Sequence, residues 1–150
     1  MKIKAGDIVR FERTFTKEDV ELFLKVSKDE GEHHCQPDEL GRFVVHGLLT
    51  ATLPTKVGGD FNVLARKMHF EFIRPVYTGD TILCEVTIEK YERKKADRIL
   101  IETAFSCTNQ HDEEVMIGSF SGVIFTDLST YPKSKVMWID VGFFIGNRYR

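Results

Sequence analysis

The sequence predicts an α+β fold in which a strongly curved antiparallel sheet wraps around a central apolar helix. Three observations carry that reading. Residues Gly47 to about Val57 hold almost no charge and are apolar on most sides, as a helix enclosed by other structure would be. Beyond them, apolar residues recur at every second position in four successive stretches, the period of a strand with one face buried. The connections are short and rich in turn formers, which favours antiparallel hairpins.

Each element has its own justification. Ile8 to Phe15 reads as a first strand. Thr16-Lys17-Glu18-Asp19 resembles a capping box with Thr16 as N-cap, and Val20, Phe23, Leu24 and Ser27 follow at helical spacing, so a helix is expected over about 17–29. Gly31 then ends it, because glycine tolerates the left-handed conformation that turns a chain out of a helix. In the central helix Pro54 kinks or breaks the last turns, and Gly58-Gly59-Asp60 closes it. The strands follow: Met68, Phe70 and Phe72; Ile82, Cys84, Val86 and Ile88; Ile99, Ile101, Thr103 and Phe105; and Val115 to Phe125. Pro75 with Gly79-Asp80, the Lys94 to Asp97 stretch and Asn109 to Asp112 mark the turns between them. A single domain over residues 1–126 is expected, with 127–150 as a C-terminal extension packed on or beside it. That extension carries Tyr131, Trp138, Phe143, Phe144 and Tyr149, suited to covering a site, the sheet or a subunit interface.

At 150 residues the chain is long enough for one substantial core, and its 42% hydrophobic and 29% charged content is that of an ordinary globular protein. A net charge of −2 supplies no basic field for nucleic acid, so phosphate-bearing ligands would need a local patch such as Arg66, Lys67, Arg74 or Arg93-Lys94-Lys95. No apolar run reaches membrane-spanning length, and residues 1–7 do not resemble a secretory leader, so a cytoplasmic protein without membrane contact is expected. Cys35, Cys84 and Cys107 are odd in number and widely spaced, the pattern of reduced thiols.

The chemistry concentrates in one segment. Asp29 and His34 straddle Gly31, and His46 opens the sequence His-Gly-Leu-Leu-Thr further on. A carboxylate and an imidazole can divide proton abstraction and donation if the backbone folds both onto one volume. On an unbroken helix they would lie on different faces, so the turn at Gly31 is what makes the pair possible. Asp29 near a helix C-terminus, crowded by Glu30 and Glu32, is placed at a cost in stability, which points to another use. A metal site from His33, His34 and Cys35 with His46 or Asp38 lacks the usual ligand spacing, and adjacent residues rarely face one centre. Cys35 reads as a structural thiol rather than a nucleophile beside His46, His46 as a loop-binding residue at the helix entrance, and His69 and His111 as strand and turn residues.

In their order, Phe15 to Val20, Ser27-Lys28-Asp29, His34, His46-Gly47-Leu48-Leu49, Phe72-Ile73-Arg74-Pro75-Val76 and Thr78-Gly79-Asp80-Thr81 resemble the MaoC-like dehydratases, the hot-dog-fold (R)-specific enoyl-CoA hydratases and their relatives. The resemblance spans roughly residues 5–126. It implies a hot-dog fold and a homodimer whose sheets join edge to edge. It also implies reversible hydration of a 2-enoyl thioester of CoA or acyl-carrier protein, without metal or redox cofactor. By that resemblance Asp29 and His34 are the catalytic pair, the Gly47 N–H polarises the thioester carbonyl from the helix start, and Leu48 and Thr55 line the substrate pocket. Two departures stand out: Gly31-Glu32 replaces the family's usual Asn-Pro, and the connection from His34 to His46 is short. Two other functions fit the same architecture, an acyl-CoA thioesterase and a non-catalytic acyl-thioester binder.

Overall fold

Alternation decides which face of the sheet is buried. In the computed structural model, which describes residues 2–127, Ile82, Cys84, Val86 and Ile88 of β3 (Thr81–Lys95) point inward, as do Ile99, Ile101, Thr103, Phe105 and Cys107 of β4 (Arg98–Thr108). With β1 (Ile8–Thr14), β2 (Val63–Phe72) and β5 (Glu114–Phe125) they form one five-stranded antiparallel sheet in the order β1-β3-β4-β5-β2. Register shifts interrupt the pairing between Ala65 and Lys67, Ile88 and Lys90, Arg93 and Lys95, and Cys107 and Thr108. Such bulges bend strands and let a sheet curve.

The helical segments are α1 (Lys17–Ser27), α2 (Glu32–Cys35), α3 (Gly47–Thr50) and α4 (Thr52–Asp60). The capping box at Thr16 forms as expected, with the Asp19 N–H donating to the Thr16 hydroxyl and the Thr16 N–H to the Asp19 carboxylate. Leu53 and Val57 of α4 enter the same apolar cluster as the inward residues of β3 and β4, and α4 touches β1, β2 and β3. Burying such side chains is worth about 1.5–3 kcal/mol each relative to exposure, and this drives the sheet around the helix.

Several sequence expectations are corrected. The first helix stops at Ser27, and Lys28 rather than Gly31 takes the left-handed conformation, with φ 60°. Gly31 is extended at φ −53° and ψ 139°, and precedes a separate short helix. The central helix divides at Ala51, one turn before Pro54, instead of failing in its last turns. Proline cannot donate to the carbonyl four residues back and its ring crowds it, so the disruption falls at Thr50 and Ala51. Gly58, Gly59 and Asp60 continue the helix to the C-cap at Phe61. The helix is enclosed on one side only: Leu48 is 60% exposed, and Thr55 and Lys56 face solvent. Last, β2 and β3 are not a hairpin, because β2 lies at the far edge beside β5. Residues 73–80 therefore cross from one edge of the sheet toward the other, and this strap pairs with the segment ahead of α3 through the Val45 N–H on the Val76 carbonyl and a Val44–Tyr77 bridge.

No helix among the described residues is long and apolar enough to cross a membrane. The expected C-terminal extension, apart from Asp127, lies outside the described residues.

The glycines of β5 test the curvature. A Cβ on Gly118 would stand 2.0 Å from the His69 carbonyl oxygen and 2.5 Å from Phe105, whereas one on Gly59 would meet nothing within 4 Å. Gly118→Ala is expected to destabilise by about 3 kcal/mol or more, and Gly59→Ala to stabilise by about 0.5–1 kcal/mol through helix propensity. Urea unfolding midpoints check both; equal effects would refute the close approach of β2 and β5.

Candidate active site

Asp29 and His34 meet because the chain turns twice in six residues. Lys28 takes the chain out of α1, and the Asp29 carboxylate then accepts the Gly31 N–H at Oδ1, 3.3 Å, forming a local turn. Gly31 leads into α2, where His34 swings back until its Nε2 lies 3.7 Å from Asp29 Oδ2. The departure from Asn-Pro is accommodated locally, since the Gly31 N–H takes part in this turn and a Cβ there would press on the His33 ring at 3.0 Å.

The tautomer of His34 follows from its other nitrogen. Nδ1 is 2.6 Å from the Val44 carbonyl, which can only accept, so Nδ1 carries the hydrogen and Nε2 is bare towards Asp29. The imidazole is buried and the carboxylate is half exposed. Burial lowers the His34 pKa below its ordinary 6.5; the Val44 carbonyl pulls the other way, His46 and His33 lower it further, and Asp29 raises it. The neutral imidazole beside a carboxylate is thus the form this site favours around neutral pH.

His34 forms part of the wall of a cleft of about 390 Å³, with His33, Val44, Val45, Gly47, Thr50, Phe72, Ile73, Arg74, Pro75, Val76 and Val115. That volume is at the low end of those that hold small ligands, and the lining is mostly apolar with a few polar groups, as such sites are. The Gly47 N–H heads α3, and among the described residues no protein acceptor pairs with it. The Phe72 ring packs against Gly47, 3.0 Å from where a Cβ on it would stand. Of the residues that the sequence singles out, His34 and Gly47 share the cleft wall and Asp29 lies beside His34. Asp29 sits behind His34 rather than in the wall itself, and Leu48 and Thr55 lie outside the wall, with the Thr55 hydroxyl donating to the Ala51 carbonyl at 2.9 Å. The sequence marks Phe72 to Val76 as part of the family pattern and Arg74 as a candidate phosphate contact, but not their place in the cleft wall or the Val44 carbonyl's bond to His34; only tertiary structure brings the strap to the helix start.

Asp29, His34 and His46 have ligating atoms within 4.8 Å of one another, the one such cluster among the described residues. Their arrangement does not suit a cation. The His34 and His46 rings stack at 3.7 Å and 18°, so their in-plane lone pairs run side by side instead of converging. Two of the three thiols are equally unsuited to chemistry: Cys84 and Cys107 are buried opposite each other on β3 and β4, and the hydrogen bond between them together with burial pushes the Cys107 thiol up.

A curved antiparallel sheet wrapped around a kinked helix is the hot-dog fold, and the family match puts this chain among the hydratase and dehydratase enzymes that use it. The chain belongs to the MaoC-like dehydratases: residues 1–118 match the family model described as FAS1-like, dehydratase domain region. A mitochondrial 3-hydroxyacyl-[acyl-carrier-protein] dehydratase of Arabidopsis thaliana is 28% identical over 141 residues, covering 88% of this chain and 83% of that protein. Among solved structures, the (R)-hydratase from A. caviae involved in PHA biosynthesis superposes with a TM-score of 0.70 at 21% identity, covering 82% of this chain and 97% of that one. The unliganded R-hydratase PhaJ1 of Pseudomonas aeruginosa gives 0.67 at 19%, covering 87% and 90%.

The His34 environment has a direct readout. Its imidazole is expected to titrate below pH 6.5 in the folded protein, so its protonation is resisted by the fold and stability declines as pH falls from the unfolded value through the lowered one. Ring-proton NMR against pH measures the midpoint; a value above 6.5 would contradict the burial argument.

Proposed function

We propose that this protein catalyses the reversible hydration of a 2-enoyl thioester, carried by CoA or by acyl-carrier protein. The observation that carries the reading is the bare His34 Nε2 held 3.7 Å from Asp29 Oδ2 at a cleft whose wall also holds the unpaired Gly47 N–H. One water can give hydrogen bonds to both side chains, which aims its lone pair at the substrate β-carbon. As the carbon–oxygen bond forms, the alkene electrons move onto the thioester oxygen, where the Gly47 N–H stabilises the developing enolate. Asp29 takes the water proton, and the pair returns a proton to the α-carbon as the carbonyl re-forms, so the reaction is balanced without a cofactor.

The apolar lining from Val44, Val45, Val76 and Val115 suits an acyl chain, and Arg74 at the rim offers charge to a phosphate-bearing carrier. We place a second copy of the chain along β2. That edge strand and the residue after it expose Leu64, Met68, Phe72 and Ile73, two of which line the cleft, and an unpaired apolar edge invites another strand. Light scattering at the mass of two chains checks this placement.

Crotonyl-CoA and a longer trans-2-enoyl-CoA test the reaction, followed by loss of the conjugated thioester absorbance. Asp29→Asn and His34→Ala are each expected to lower kcat by about 100- to 10,000-fold, and the double variant to be scarcely worse than the poorer single one. Near-parental turnover by both folded single variants would overturn the assignment, and release of free thiol would favour a thioesterase.

A further inference from the structure

His46 is the most thoroughly buried polar side chain near the site, 1% exposed, and the mechanism above gives it no task. Its contacts are specific. Nε2 lies 3.0 Å from the backbone carbonyl of Asp29, which can only accept, so Nε2 carries the hydrogen and donates it. The ring stacks face to face on His34 at 3.7 Å, and its other neighbour is Phe23 of α1, tilted at 4.9 Å. Nδ1 is buried without a partner. His46 also caps α3, so the residue that follows it is Gly47 with its free N–H. One side chain therefore touches the backbone of the carboxylate and the ring of the imidazole, and is covalently next to the third group of the site.

We propose that His46 is a positioning residue for the hydration reaction: its Nε2–H holds the Asp29 backbone and its ring clamps the His34 imidazole, fixing the separation of the acid/base pair. The proposal rests on the function given above. The alternative is that His46 merely fills space beneath the loop. Space filling needs neither a hydrogen bond to Asp29 nor a parallel stack on His34, and it would favour a side chain without an orphaned nitrogen, since burying an unpaired acceptor costs stability.

The groups facing His34 are Asp29 from the loop after α1, His33 beside it on α2, His46 at the start of α3, and the Val44 carbonyl. Removing the His46 ring takes away one neighbour that disfavours a positive charge on His34 and opens one face of its ring to water. Both effects ease protonation of His34.

Two variants separate the two contacts. His46→Phe keeps an aromatic ring of similar size and loses the donor; His46→Gln keeps an amide N–H at comparable reach and loses the stacked ring. In the full chain, with crotonyl-CoA as probe, His46→Phe is expected to lose about 100-fold in kcat, the scale of a 1 Å misplacement, with KM within about threefold because His46 is not in the cleft wall. His46→Gln is expected to regain about tenfold of that kcat and still fall short of the parent because the ring clamp is lost, while the acid limb of its pH profile and the NMR titration of His34 move up relative to the parent. Equal losses in both variants with an unmoved His34 titration would show a packing role and overturn the proposal, as would parental kcat and pH profile in His46→Phe. The His34 titration needs no turnover. A parent inactive on every enoyl thioester would therefore overturn the hydratase reading, whereas an unmoved titration in His46→Gln would overturn the clamp itself.

Discussion

The hydrogen bond from His34 Nδ1 to the Val44 carbonyl, at 2.6 Å, is the interaction on which the site's chemistry depends. It decides which nitrogen is bare, and so whether the imidazole meets Asp29 as an acceptor of a water proton or as a donor to the carboxylate. Val44 is itself held from two sides, by its N–H on the His33 carbonyl and by its bridge to Tyr77. Tyr77 belongs to the strap that crosses from β2 to β3, and the strap is needed because those consecutive strands stand apart in the sheet. The strand order therefore reaches the tautomer of His34 through three linked backbone contacts.

The same geometry explains why one partner is buried and the other is not. Two buried groups would need full compensation for a lost hydration shell, which is costly for a carboxylate. Here the imidazole is sheltered and favoured in its neutral form, while the carboxylate stays half in water with its second oxygen tied to the Gly31 N–H. A carboxylate and a neutral imidazole thus stand side by side with only the imidazole sheltered from water. Phe72, packed against Gly47, sits on the edge strand whose exposed apolar residues adjoin the cleft, so the cleft and that edge share one surface.

Much of this was legible in the sequence, for identifiable reasons. Period-two alternation found the four later strands, but only β3, β4 and β5 bury a face in the common core, whereas β2 at the sheet edge leaves Met68 and Phe72 exposed; the capping box found the start of α1, because Thr16 and Asp19 satisfy each other locally. What was misread depends on distant contacts. Strand order is set by pairing between residues far apart, so a short connection after Phe72 looked like a hairpin and proved a crossover. Lys28 in the left-handed region has no sequence signal comparable to a glycine, and drew no notice beside Gly31. Asp29 and His34 stand out by their spacing across Gly31, and Gly47 by the family resemblance, whereas the stacking of His46 on His34 joins segments whose meeting no local rule gives.

The central claim is that the Asp29–His34 pair directs one water to the β-carbon of an enoyl thioester. Turnover of crotonyl-CoA in water enriched in oxygen-18, with mass analysis of the product, tests it most directly. Hydration through this pair leaves a single heavy oxygen in the 3-hydroxyl of an intact 3-hydroxybutyryl-CoA. Heavy oxygen in a free carboxylate with release of CoA, or no incorporation at all by the folded protein, would contradict it.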